Sequence, residues 1–197
     1  MEAMRVVRRF IQMKSGAAKL FCSMLALSLL CGMRNQKTED IPTEYQLKAV
    51  FLFNFTQFIT WPNKSFDNEK DPFIIGILGE NPYGSFLEET VRGEVVNGHR
   101  IIIRYYNNVQ DVKTCHILYI NLKNQGELEE TLARFKNRNI LTVGDTSRFT
   151  QLGGIIGFFI TNSKVGIKVN LGAASSTDLS ISSKLLRLAT VIKAKNN

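Results

Sequence analysis

The chain has 197 residues, of which 44% are hydrophobic and 21% charged, a composition that excludes a disordered chain, a collagen and a disulfide-dense scaffold. Its formal net charge is +8. Residues 1–34 hold six Lys/Arg against one Asp/Glu, whereas the other 163 residues hold 19 against 16. Because the body of the chain is nearly balanced, its charge does not indicate nucleic acid as a partner.

The first 33 residues have the pattern of a secretory signal peptide. A cationic stretch precedes residues 20–33, which carry no charge. This run is shorter than the roughly 20 residues of a membrane-spanning helix but suits the apolar core of a signal peptide. Three alternatives stay open: a later start at Met13, a lipoprotein with lipid on Cys31, and an uncleaved membrane anchor. We predict export, with residues 34–42 as a linker and residues 43–195 as one domain.

The linker ends at Pro42, and a long, largely apolar helix is predicted to follow it. Thr43 and Gln46 match a capping box. Apolar residues at 47, 51, 55 and 58 share one helical face, and Pro62 ends the helix. Lys48 has apolar neighbours in this segment, for which a side chain that reaches out to solvent is the ordinary explanation.

Apolar and β-branched runs after this helix predict four buried strands, at residues 73–78, 99–106, 115–120 and 140–143. Two helices are predicted between them. The first is short and begins at Ser85, with Glu88 completing a second capping box. The other covers residues 126–138, with leucines and a phenylalanine at helical spacing.

The C-terminal part of the chain predicts a β-hairpin followed by a helix. The hairpin pairs residues 155–160 with 165–171 across a short polar turn. Apolar residues at 181, 185, 188 and 192 predict the final helix. The order of elements is typical of a three-layer α/β domain with a largely parallel central sheet flanked by helices and a C-terminal β-hairpin plus helix.

No residue pattern typical of catalysis or metal binding occurs in the sequence. Neither G-x-S-x-G nor H-E-x-x-H is present, and His99 and His116 are far apart without paired thiols. Cys115, which heads a strand, is explained as a small buried hydrophobe. We therefore predict no enzymatic activity, no metal and no cofactor. One alternative stays open: an exported small-molecule-binding protein or enzyme that uses a cleft between residues 79–85 and 144–149, at strand ends.

Several stretches of the chain resemble the YfiR-like family of periplasmic proteins. Residues 44–62 contain K-A-V-F, a following phenylalanine and F-I-T-W-P, and residues 77–84 read I-L-G-E-N-P-Y-G. The closing pattern is I-L-T-V-G-D at 140–145, Phe149, G-G-I-I-G at 153–157 and the segment 181–189. The ordered set extends from residue 44 to about residue 192 and is specific as a set.

The resemblance implies a non-enzymatic periplasmic regulator that binds and restrains an inner-membrane signalling protein, a diguanylate cyclase or a sensor kinase, and so lowers cyclic-di-GMP. It further implies a homodimer and an outer-membrane lipoprotein as a second partner. Family members often pair a thiol at the position of Cys115 with one near Gly76, where this chain has none, so redox sensing is not expected. The family-pattern positions that are candidates for partner or ligand contact are Lys48, Asn54, Trp61, Tyr83, Asp145 and Lys184.

Overall fold

The computed structural model describes residues 43–68 and 70–192. The predicted signal peptide, its alternatives at Met13 and Cys31, and the linker lie outside these residues. The helices are α1 (Glu44–Phe58), α2 (Phe86–Val91), α3 (Gln125–Phe135), α4 (Leu171–Ala174) and α5 (Ser183–Leu188). The strands are β1 (Ile59–Thr60), β2 (Phe73–Gly79), β3 (Val95–Val96), β4 (His99–Tyr106), β5 (Ile117–Asn121), β6 (Leu141–Gly144), β7 (Ile156–Thr161), β8 (Lys164–Asn170), β9 (Ser180–Ile181) and β10 (Thr190–Ile192).

Eight of these strands form one sheet in the order β10-β8-β7-β6-β5-β2-β4-β3. Strands β4, β2, β5, β6 and β7 are mutually parallel, whereas β3 and β8 are antiparallel to their neighbours β4 and β7. The chain therefore winds first towards β4 and then, from β5 onwards, in the opposite direction, which is a doubly wound arrangement. This confirms the predicted α/β class with its largely parallel sheet and the β7–β8 hairpin.

The sheet is covered on both faces, which gives the predicted three layers. On one face, Leu52 of α1, Leu87 of α2 and Leu185 of α5 belong to a large apolar cluster. On the other, α3 buries three side chains against Leu118 and Ile120 of β5 in a second cluster. Apolar strand residues that alternate between these clusters explain why the strands read as uninterrupted hydrophobic runs.

Helix α1 begins as predicted but presents a different face to the core. The capping box is confirmed: the Thr43 backbone N–H donates to Gln46 Oε1 (2.6 Å), and the Gln46 N–H donates to Thr43 Oγ1 (3.3 Å). The buried side chains of the helix are Lys48, Ala49, Leu52, Phe55 and Thr56. Of the apolar residues predicted to share one face, Phe55 is buried and Phe51 and Phe58 pack half-buried against the core, whereas Leu47 is exposed. Because this helix is apolar around most of its circumference, its spacing did not select the face that packs.

Two other local predictions are wrong. Ser85 is the N-cap of α2, but its hydroxyl donates to Glu89 Oε1 (2.9 Å) and caps no backbone group. The predicted final helix ends at Leu188, whose side chain is 72% exposed. The chain then forms β10, parallel to β8, with Ile192 opposite Asn170. Pairing with the open edge of β8 supplies backbone hydrogen bonds that a local apolar spacing does not reveal.

Close packing of Phe149 explains the glycines of the closing sequence pattern. The ring lies against the backbone of Gly144, at the end of β6, and of Gly154, just before β7. A Cβ atom at either glycine would overlap the ring. Since interiors have little spare volume, both positions require the absence of a side chain.

Candidate functional site

Three of the six predicted site residues meet at the carboxyl-terminal edge of the parallel sheet. Asp145 follows β6, Tyr83 lies in the turn after β2, and Lys48 is on the inner face of α1. Lys48 Nζ donates to Asp145 Oδ2 at 2.8 Å and also to Glu44 Oε1, one helical turn earlier. The sheet edge and the first turn of α1 are thereby joined through one ammonium group.

The Lys48 side chain points inward, so the expectation of a solvent-reaching lysine is wrong. The residue is 2% exposed, and its Nζ lies 4.6 Å from the centre of the Tyr45 ring and 5.9 Å from that of Phe158. Burial by itself would lower the pKa of the ammonium, but the hydrogen bonds and charges of Asp145 and Glu44 outweigh it and raise the pKa. Lys48 is therefore a charged group inside a largely aromatic shell.

Two buried tyrosines complete this group of residues. The Tyr83 ring meets Tyr119 of β5 edge to face, with centroids 5.0 Å apart, and Tyr45 in the same manner at 6.1 Å. Within the part of the chain that the structure describes, neither the Tyr83 nor the Tyr119 hydroxyl has a partner at hydrogen-bonding distance, although the two hydroxyls lie near one another and Tyr119 lies near the Asp145 carboxylate. Burial, together with the nearby charge of Asp145, raises the pKa of both phenols. Both are uncharged at neutral pH.

The turn after β2 is built to hold Tyr83 in this position. Asn81 Oδ1 accepts from the Tyr83 N–H at 2.9 Å, and Asn81 Nδ2 donates to the Gly84 carbonyl at 3.1 Å. Gly79, with φ of +90°, brings its backbone against the carbonyl of Asn121, where a side chain would collide. The protein's own Tyr83 and Lys48 thus lie at the strand ends where doubly wound folds commonly bind ligands.

The other three predicted residues lie elsewhere. Trp61 is buried near the amino-terminal ends of the parallel strands, where its Nε1 donates to the His116 carbonyl at 3.1 Å. Asn54 is half-buried on α1, and Lys184 is exposed on α5. The sequence patterns did not identify Glu44 or Tyr119 as members of the site. The acidic residue one helical turn before Lys48 could have indicated Glu44 as its partner.

Beside Trp61, the His116 imidazole forms a buried polar contact of its own. Its Nδ1 accepts from the Ile74 N–H at 3.0 Å, and its Nε2 donates to the Ser65 carbonyl at 3.1 Å. The ring stacks against Phe66 and Phe73, with centroids 4.4 and 4.6 Å away. Burial lowers the pKa of His116 to about 4, so the ring is neutral at pH 7 and serves as a structural hydrogen-bond bridge.

Cys115 is the core residue that the sequence predicted. It is buried, and burial raises the pKa of its thiol to about 12, which removes the thiolate needed for reactivity. A Cβ at Gly76 would lie 2.8 Å from Cys115 Sγ and 2.7 Å from the Tyr106 ring. Gly76, near which the family resemblance implied a second thiol, is therefore in contact with Cys115, and the space for a side chain there is already filled.

The residues at 43–68 and 70–192 contain no group of three His, Cys, Asp or Glu side chains that could hold a metal ion. The same residues include no helix long and apolar enough to cross a membrane. What the fold and site define is a doubly wound α/β protein that carries an internal ion pair and neutral tyrosines at the strand ends where such folds commonly bind ligands.

The YfiR/HmsC-like family matches residues 45–190, about three quarters of the sequence. The chain belongs to the YfiR/HmsC-like family. This is a regulatory family connected with cyclic-di-GMP signalling through membrane proteins. No curated protein matches the chain. The motifs that carried the resemblance have structural roles here, since residues 48, 83 and 145 form the ion-pair site and residues 144, 149 and 154 pack together.

Proposed function

We propose that this chain is an exported regulator that acts in the periplasm, where it binds an inner-membrane diguanylate cyclase and restrains it, lowering cyclic-di-GMP. The observation that carries the proposal is the family match over residues 45–190. The signal-peptide pattern of residues 1–33 supports export. The ion pair at these strand ends supports a binding module rather than an enzyme, because Lys48 and Asp145 are already engaged with one another.

Helix α1 offers the surface for this partner. Its outer face, which we call the outer α1 surface, consists of Leu47, Val50, Asn54 and Gln57. Leu47 and Val50 are each 37% exposed, and all four side chains are uncharged. Depletion of charge together with exposed apolar area is typical of the central part of a protein interface. One of the predicted contact residues, Asn54, lies in the middle of this surface.

The Lys48 ion pair prepares this surface for binding. It ties the first turns of α1 to the sheet edge, so the outer residues stand on a helix whose position is set before the partner arrives. Such preorganisation lowers the entropy that association would otherwise lose. In this proposal Lys48 and Asp145 act by positioning the helix, and they do not touch the partner.

The test is a crosslinked pull-down of the tagged protein from its native envelope, with mass spectrometry of the proteins recovered. Two variants place the same new charge on different surfaces: Val50→Glu on the outer α1 surface, and Val95→Glu on the exposed edge strand β3. We expect the unmodified protein and Val95→Glu to recover a membrane-spanning protein with a diguanylate cyclase domain, and Val50→Glu to lose it. Recovery of a sensor kinase instead would contradict the cyclase assignment.

Cellular cyclic-di-GMP provides the second readout. Deletion of the gene should raise the nucleotide, and complementation with Val95→Glu, but not Val50→Glu, should restore it. A deletion that leaves cyclic-di-GMP unchanged, combined with recovery of the chain alone, would refute the proposal.

A homodimer and release by an outer-membrane lipoprotein are also proposed. Sizing of the purified protein and crosslinking to the outer membrane test these two parts separately.

A further inference from the structure

A second site lies away from the ion pair, in a groove of about 410 Å³ between α3 and α4. Its walls are largely apolar and include Leu132, Phe135, Leu152, Ile155 and Ala173. This volume and lining fall within the range of small-molecule pockets. The groove is independent of the proposed function, since the outer α1 surface does not contribute to it.

The groove exists because one crossover connection lacks a helix. The β5-to-β6 connection contains α3, which covers its part of the sheet, but the β6-to-β7 connection, residues 145–155, is formed by turns alone. Gly153 and Gly172 also line the space without side chains to fill it. A Cβ at Gly153 would meet no atom within 4 Å. The turns fill less of the space beside the end of α3 than a helix would, which leaves the groove.

One polar group in the lining has a hydrogen-bonding capacity that the protein does not use. Thr142 is 4% exposed, and its Oγ1 accepts from the Ile155 N–H at 3.0 Å. Among the described residues, no acceptor is found for the Thr142 O–H. A buried donor without a partner is unfavourable, and an acceptor brought to it would be stabilised.

The other polar side chains near the groove already donate hydrogen bonds within the protein. Asn170 donates to the Thr150 carbonyl at 2.8 Å and accepts from the Ala173 N–H at 3.0 Å. Ser176 donates to the Ala173 carbonyl at 2.8 Å. Thr142 is therefore the lining group that is positioned to select a ligand by hydrogen bonding.

The charges of the lining exclude an ionic ligand at this depth. Glu129, on α3, and Lys136, just after its end, carry opposite charges, and both are exposed. No counter-ion lies beside Thr142 in the lining, so a carboxylate or ammonium group placed there would lose its hydration without compensation. We propose that the groove binds a small neutral amphipathic molecule, an aliphatic chain with a hydroxyl or carbonyl oxygen that accepts from Thr142.

The experiment compares three probes with the same chain and different head groups: 1-octanol, octanoate and octylamine. Each is titrated into the ¹⁵N-labelled protein while amide chemical shifts are followed. We expect saturable shifts for 1-octanol at Ile155, whose N–H is bonded to Thr142, and along the facing sides of α3 and α4. The charged probes should bind at least tenfold more weakly. Equal binding of all three probes, or no saturable shift with 1-octanol, would overturn the proposal.

Variants locate the binding and separate it from general detergent-like effects. Ala173→Phe fills the groove and should abolish the 1-octanol shifts while the rest of the spectrum stays folded. Thr142→Val removes the hydroxyl and should weaken binding about tenfold, whereas Thr142→Ser, which keeps the hydroxyl, should retain it. If Thr142→Val does not fold, Ala173→Phe and the comparison of head groups remain decisive. Unchanged 1-octanol binding in Ala173→Phe would place the probe elsewhere and refute the site.

Discussion

Acid should destabilise this protein through His116 before general acid denaturation begins. The folded ring must be neutral, because Nδ1 accepts from the Ile74 N–H while Nε2 donates to the Ser65 carbonyl. Protonation at Nδ1 would remove the acceptor and place a positive charge among aromatic rings. Burial accordingly lowers the pKa of His116 from 6.5 to about 4. In the unfolded chain the same group takes up its proton near pH 6.5.

The sign and size of the effect follow from proton linkage. Between pH 6.5 and about 4 the unfolded state binds one more proton than the folded state, so the free energy of unfolding falls as the pH is lowered. The His116 contribution is fully present above the unfolded pKa of 6.5. Its loss is about 2 kcal/mol at pH 5 and reaches about 3 kcal/mol below the folded pKa.

Urea unfolding followed by circular dichroism at pH 7.5 and pH 5 measures this loss. The matched variant is His116→Gln, whose amide can accept from Ile74 and donate to Ser65 but does not titrate. Carboxylates contribute equally to both proteins and cancel in the comparison. The unmodified protein should therefore lose about 2 kcal/mol more than His116→Gln over this interval. If the unmodified protein and His116→Gln differed by the same free energy of unfolding at both pH values, His116 would not be the source of the pH dependence.

Three further substitutions test the site and its packing by urea unfolding. Asp145→Asn leaves the buried Lys48 ammonium without its inner carboxylate and should cost about 3 kcal/mol. Tyr119→Phe removes a buried hydroxyl that has no partner and should raise the free energy of unfolding by about 1 kcal/mol. Gly154→Ala forces a methyl group onto the Phe149 ring and should cost about 1–3 kcal/mol.

Each of the three substitutions has a control variant or a result that would contradict its expected effect. Glu80→Gln breaks the exposed pair with Lys123 and should leave stability unchanged; an equal loss in both carboxylate variants would contradict a special role for the buried pair. A loss of stability in Tyr119→Phe would mean that the hydroxyl is hydrogen-bonded after all. In Gly126→Ala, in the first turn of α3, the new Cβ would approach only Asn124 Oδ1, at 3.3 Å, so its loss of stability should be smaller than that of Gly154→Ala. An equal result for the two variants would refute close packing against Phe149.

Much of the fold could be predicted from the sequence because it depends on local chemistry. The Thr43 capping box, strands β2 and β4, and the β7–β8 hairpin follow from caps, apolar runs and turn residues over a few positions. The alternation of helices and strands was enough to predict a three-layer α/β domain. Apolar residues surround most of helix α1. The sequence therefore predicted the helix but not which of its faces packs against the core.

The sequence also identified Lys48, Tyr83 and Asp145 as site candidates, through their places in family motifs, but not that they meet. Lys48 and Asp145 are 97 positions apart, and only the winding of the sheet brings the end of β6 beneath α1. Strand β10 likewise depends on a distant partner, because its hydrogen bonds come from β8. The Phe149 ring packs against Gly144 and Gly154, and a side chain at either glycine would overlap it. Caps, turns and periodicity are properties of neighbouring residues. The face that α1 buries, the charge state of Lys48 and the open groove beside Thr142 depend on which distant groups share a low-dielectric interior, and the tertiary structure alone decides that.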